Sequence, residues 1–179
     1  KPTPSQTTLQ TLPPNTILVH ATNSLGIWGA GIAKSIASTY PAAYAVYVAH
    51  CQGARRGDLE GSCLVIPPQE GDTKKNGKGV LIACLFTSYG YGRGTKRKAG
   101  KDGREVILEY TECALGDLRR QLEEGFEKEG GGGGDGIGTC VVSPRFNSGA
   151  FGVPWSETEG VVERVFGGWD GEWLLLDPV

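Results

Sequence analysis

The sequence predicts an α/β fold built on a largely parallel sheet, and three observations carry that prediction. Short apolar or β-branched runs alternate with helical patterns through most of the chain. One run, Val80 to Thr87, is apolar almost throughout, as in a strand covered on both faces. Two glycine-rich stretches, Asn23 to Ala33 and Asn147 to Trp155, stand where a strand should meet a helix.

Taken in order, residues 1–15 are polar and rich in proline and threonine, which reads as a flexible lead-in to a single domain spanning 16–179. Thr16 to Thr22 reads as a strand whose last residues, His20-Ala-Thr-Asn23, run into the first glycine stretch. A helix should start near Gly31 and run through Ala37. Pro41 suits the first turn of a second helix, which Gly53 should end. Ser62 to Ile66 is a strand closed by Pro67-Pro68, and Glu70 to Lys78 reads as a charged turn. After the buried strand, Ser88 to Arg104 is a long glycine-rich, basic loop, read as solvated surface. Ile107, Tyr110, Ala114, Leu115, Leu118, Leu122 and Phe126 recur at helical spacing and mark a helix from about Glu105 to Glu129. A glycine-rich insert at about 130–136 is low in complexity and reads as a surface loop. Thr139 to Ser143 is the next strand and feeds the second glycine stretch. Ser156-Glu-Thr-Glu159 reads as a capping box opening a helix with Val161, Val162, Val165 and Phe166 on its apolar face. Trp173 to Leu176 is the last strand.

Bulk properties narrow the function. A chain of 179 residues with 39% hydrophobic side chains fits one domain with a proper core. No apolar run approaches the roughly 20 residues of a membrane helix, and no signal-peptide pattern opens the chain. There is no methionine, even at position 1, which suggests an N-terminus processed or trimmed from something longer. A net charge of −2 gives no reason to expect nucleic acid as a partner. The five cysteines form no CxxC pair, and Cys63, Cys84 and Cys140 sit in apolar runs, as buried thiols of a reducing compartment do. His20 and His50 lack ligand spacing to any cysteine, so neither a metal site nor a cofactor is expected.

The two glycine stretches carry the chemistry. Residues without bulk let backbone N–H groups approach a phosphate, and a helix starting there adds its positive end. Two such turns at neighbouring strand ends could hold the two phosphates of a diphosphate, which points to a nucleotide-like ligand. The first stretch lacks GxGxxG spacing, an acidic residue about 20 positions on, and the Lys-Ser/Thr of a Walker loop. Either stretch alone reads equally as a tight turn; the pair, each opened by asparagine, is harder to dismiss. His20 is readable as a core histidine or as a site residue, and Trp28 and Phe151 as core or as pocket walls. His50, near a helix end, reads as structural.

These residues together resemble a macro domain, the ADP-ribose-binding module. The match is His20-Ala-Thr-Asn23, Trp28-Gly-Ala-Gly-Ile-Ala33 and Asn147-Ser-Gly-Ala-Phe-Gly-Val-Pro154, with Gly61 to Ile66 and Cys84 to Ser88 adding to it. It runs from about Asn15 to the C-terminus and is most similar to the small fungal ADP-ribose 1''-phosphate phosphatases linked to tRNA splicing. The resemblance implies a three-layer α/β/α sandwich around a mixed, largely parallel sheet. It implies that Trp28, Gly29, Ala30, Gly31, Ile32 and Ala33 embrace the distal ribose and one phosphate. Asn147, Ser148, Gly149, Ala150, Phe151 and Gly152 would wrap the diphosphate, with the N–H groups of Ser148 to Gly152 as donors and Phe151 on the distal ribose. Asn23 would contact the distal ribose hydroxyls, with Ala21 and Thr22 lining the same pocket.

Two departures stand out. Macro domains usually open with a strand ending in an acidic residue that binds the adenine amino group, and residues 1–15 show no such strand, so the adenine contact is unassigned. The Lys and Asp of glutamate-type ADP-ribosyl hydrolases are also missing: Phe151 stands where the aspartate would fall. The implied reaction is hydrolysis of the 1''-phosphate monoester without a metal, with His20 as candidate acid or base and Asn23 orienting the ribose. The alternatives are a reader of ADP-ribose or ADP-ribosylated protein that does no chemistry, and a mono-ADP-ribosyl hydrolase. The expected state is a monomer, intracellular, in the cytoplasm and/or nucleus.

Overall fold

The computed structural model describes residues 1–76, 79–124 and 140–176. Strand β2 (Ile17–Asn23) is central, between two parallel neighbours, β4 (Leu81–Ser88) and β5 (Cys140–Ser143). The full order is β1-β6-β5-β2-β4-β3, with β3 (Cys63–Ile66) antiparallel on one edge and β6 (Glu172–Leu175) and β1 (Thr3–Pro4) parallel on the other. The sheet is therefore mixed and largely parallel.

Alternation along the strands sends side chains to two cores. Leu18, Ile82, Cys84 and Phe86 meet Ile36 and Tyr47 from helices α1 (Gly31–Thr39) and α2 (Pro41–Cys51), and Tyr40 at the junction between them. Ile17, Val19, Leu81 and Leu85 meet Ala114, Leu115, Leu118, Val161 and Val162 from α4 (Arg104–Glu123) and α5 (Trp155–Val165). Helices thus cover both faces and give the three-layer sandwich. The outer edge of β3 is closed by α4: Asp117 accepts from Cys63 N–H at 2.9 Å and Gln121 Nε2 donates to Cys63 O at 2.9 Å.

Three local expectations need correction. Residues 1–15 are not a loose lead-in: Thr3 and Pro4 pair with Leu174 and Leu175, and Leu9 and Leu12 are buried in the α1/α2 core. The charged stretch after Pro68 is not a turn but a helix, α3 (Glu70–Asn76). Its Asp72 is buried and accepts the Ala42 and Ala43 N–H groups at 3.0 and 2.9 Å, a cap for α2 supplied from outside that helix. Ser156 caps nothing: α5 begins at Trp155 with Pro154 as its N-cap and no side-chain cap bond, because the proline places the helix start one residue early. Helix α4 ends at Glu123 with Glu124 as its C-cap, and the rest of the helix expected to 129 and the glycine-rich insert at 130–136 lie outside the described residues.

Candidate functional site

Strands β2 and β5 are parallel neighbours (Ile17↔Val141, Leu18↔Val142), but their connections leave toward opposite faces. The chain after β2 enters α1 on one face; the chain after β5 enters α5 on the other. Such a divergence opens a crevice at the carboxyl ends of the strands. A cavity of about 270 Å³ lies there, and both glycine stretches line it.

The first turn is shaped by Asn23. Its Oδ1 accepts the N–H groups of Leu25 and Ile27 at 3.0 and 3.4 Å, and its Nδ2 donates to Ile27 O at 2.7 Å. The buried Tyr47 hydroxyl donates to Asn23 O. Asn23 lines the cavity, yet its amide is committed to holding the turn. Trp28 is both core and wall: it is 3% exposed, stacks on Tyr44 and Tyr47, and lines the cavity. Helix α1 then starts with Ala30 as an extended N-cap and no side-chain cap bond. The N–H groups of its first turn have no intrahelical acceptor, and Gly31, Ile32 and Ala33 line the cavity.

The second turn hangs on Asn147. The pairing of β2 with β4 shifts register between Thr22↔Phe86 and Asn23↔Ser88, so Thr87 is an extra residue. The Thr87 hydroxyl donates to Asn147 Oδ1 at 3.0 Å, and Asn147 Nδ2 donates to Thr111 Oγ1 at 2.9 Å. All three residues are buried, and Asn147 has a φ of 64°. Beyond it, Ser148 N–H donates to Arg145 O and Gly152 N–H to Gly149 O. Among the described residues the N–H groups of Gly149, Ala150 and Phe151 have no acceptor, and these three residues line the cavity.

The structure thus brings Ala21, Thr22, Asn23, Trp28 to Ala33, Asn147, Gly149, Ala150 and Phe151 around one space. It does not bring in Ser148 or Gly152, whose N–H groups close the turn on itself. It adds Ile27, Tyr91, Pro144, Arg145 and Phe146, which the motif reading missed. Pro144 to Phe146 was findable, since it joins β5 to the second glycine stretch; Tyr91, from a loop read as mere surface, was not. Among the described residues Arg145 is the one formally charged side chain lining the cavity, and it makes no ion pair there. No described group of three or more His, Cys, Asp or Glu is placed to hold a metal ion.

His20 is the main correction. It alternates away from the cavity into the α1/α2 core, is 0% exposed, and meets Trp28 edge-on at 4.7 Å between ring centres. Neither ring nitrogen has a partner among the described residues. Burial pushes its pKa down from 6.5 to about 3. An acid or base must reach the reacting atoms, and this imidazole is neutral and enclosed. Its effect falls on stability instead. The unfolded chain takes up a proton near pH 6.5 and the folded chain only near pH 3, so stability is full above about 6.5 and declines below it. Between pH 6.5 and 5 the wild-type chain should lose about 2 kcal/mol more than His20→Leu. Urea melts of both at the two pH values measure this; equal losses would refute it.

A family model for the macro domain matches residues 19–162. The chain belongs to the macro domain family. The ADP-ribose 1''-phosphate phosphatase of Aspergillus clavatus is 41% identical over 174 residues, covering 84% of this chain and 83% of that protein. The Saccharomyces cerevisiae protein of the same name is 35% identical over 162 residues, covering 84% of each. Among solved structures, the macrodomain of Mycobacterium tuberculosis DarG superposes with a TM-score of 0.68 at 22% identity, covering 100% of this chain and 99% of that one. Thermosipho africanus DarTG, solved in complex with ADP-ribose, gives 0.59 at 18% identity, covering 91% of this chain and 38% of that one. As a macro domain, the chain sets its two glycine turns where its sheet diverges.

Proposed function

We propose that this macro domain hydrolyses ADP-ribose 1''-phosphate, a by-product of tRNA splicing, to ADP-ribose and phosphate. One observation carries the reading. The start of α1 and the unbonded N–H groups of Gly149, Ala150 and Phe151 converge on a single cavity. That is a donor set for phosphate oxygens, in a chain 41% identical to a phosphatase of that name.

Water adds to phosphorus, the bond from phosphorus to the 1''-oxygen breaks, and that oxygen ends as a hydroxyl on ADP-ribose. In phosphoryl transfer the protein acts mainly by positioning and by stabilising charge on the equatorial oxygens. The turn N–H groups and Arg145 supply that charge complement here. Asn23 sets the shape of the ribose-facing turn, Ala21, Thr22, Trp28 and Gly29 wall it, and Phe151 packs against the ribose. Five unpaired cysteines support an intracellular setting, and no described helix is long and apolar enough to cross a membrane.

A second reading has its own support: no carboxylate or imidazole is among the described residues that line the cavity, and a reader of ADP-ribose or of ADP-ribosylated protein needs none. Phosphate release from ADP-ribose 1''-phosphate separates the two. The wild-type chain should release phosphate, and Arg145→Ala should lower kcat/KM about tenfold, the size of one charge-assisted contact. A chain that binds ADP-ribose yet releases no phosphate is a reader.

A further inference from the structure

The long loop between β4 and α4 contributes more than Tyr91 to the site. Its far end is pinned by Asp102, which accepts from the Ser88 hydroxyl at 3.1 Å, from Tyr89 N–H at 2.7 Å and from the Arg56 guanidinium. Asp102 N–H donates in turn to Ser88 Oγ at 2.9 Å. Partial burial opposes its charge, but the Tyr89 N–H, Arg56 and Ser88 outweigh it and hold the carboxyl below its usual range. The adjacent Lys101 is thereby carried to the second glycine turn, where its ammonium donates to Phe151 O. Gly152 leaves the room for it: a Cβ there would stand 2.6 Å from Lys101 Nζ, and its φ of 67° disfavours a side chain as well.

From Phe151 O the polar groups run on in one sense. The same peptide carries the Gly152 N–H, which donates to Gly149 O at 3.1 Å. The Gly149 carbonyl belongs in turn to the peptide whose N–H is that of Ala150, a cavity-lining residue whose N–H has no acceptor among the described residues. A positive charge at the head of such a chain polarises each peptide after it.

We infer that Lys101 is a positioning residue for the phosphate end of the ligand, acting through two linked peptide groups to make the Ala150 N–H a stronger donor. The inference rests on the reading that the cavity takes ADP-ribose or its 1''-phosphate. It explains why Gly152 sits in the phosphate motif without lining the cavity. It also gives a task to a cation in a loop that reads as solvated surface.

Charge, not tethering, is the claim, and three variants separate them. Lys101→Gln keeps a hydrogen-bond donor without charge, Lys101→Met keeps neither, and Lys101→Arg keeps both. ADP-ribose affinity is measured by calorimetry, and thermal melts report whether each variant folds. Gln and Met should each weaken ADP-ribose binding about tenfold while Arg stays within about threefold of wild type. A Gln variant that binds as tightly as wild type overturns the inference, because a neutral tether then suffices. If Met fails to fold, the Gln and Arg pair decides alone. A wild-type chain that binds no ADP-ribose at all overturns the ligand reading itself, a different result from any pattern among the variants.

Discussion

Replacing Asn147 by alanine is expected to lower the stability of the fold by roughly 3 kcal/mol, about 1 for each of two buried hydrogen bonds and about 1 for backbone strain. The hydrogen bonds are those to Thr87 and Thr111, whose hydroxyls lie in the interior and cannot turn to water. Thr111 keeps a bond to Ile107 O; Thr87 loses its partner outright. The strain arises because Asn147 sits at a φ of 64°, which asparagine tolerates and alanine does not. The two contributions separate experimentally. Asn147→Gly removes the bonds but relieves the backbone, so it should be about 1 kcal/mol more stable than Asn147→Ala. Denaturant melts of the three proteins provide the comparison. Equal midpoints for alanine and wild type would mean that the Thr87–Asn147–Thr111 linkage does not hold the second turn.

Gly31→Val is expected to act in the opposite way, severe for the ligand and mild for the fold. Gly31 has a φ of 54° at the first residue of α1, so a branched side chain there strains the backbone by roughly 1–2 kcal/mol. A Cβ at this position would meet nothing within 4 Å, and Gly31 lines the cavity that the proposed reading gives to the ligand. The valine would stand over the N–H groups at the helix start. Binding of ADP-ribose should fall by about a hundredfold or more, the loss of two or more charge-assisted bonds, while the melting temperature drops by only a few degrees. Near-normal affinity in this variant would move the phosphate away from α1.

Much of this site could be read along the chain because its parts are local. A strand followed by Asn-Ser and small residues and then a helix needs no distant partner to be recognised, and both turns proved to line one cavity. What local reading mistook, it mistook for lack of neighbours. His20 is a reactive residue type next to a motif, but strand alternation turns it toward Trp28 and the helical layer. Ser156 matches a capping pattern, but Pro154 already begins the helix. Thr3 and Pro4 carry no strand signal and pair only because β6 offers them an edge.

The order of small, polar and apolar residues by itself settled the α/β class and the elements around each turn. Tertiary structure alone decided that β2 and β5 lie side by side with their connections leaving to opposite faces, and that the bulge at Thr87 and the α4 residue Thr111 hold the second turn through Asn147. The physical reason is range. Backbone conformation and side-chain chemistry are properties of neighbours in sequence. A shared cavity is a property of groups such as Gly31 and Ala150, far apart in the chain, that only the packing of two cores against one sheet brings together.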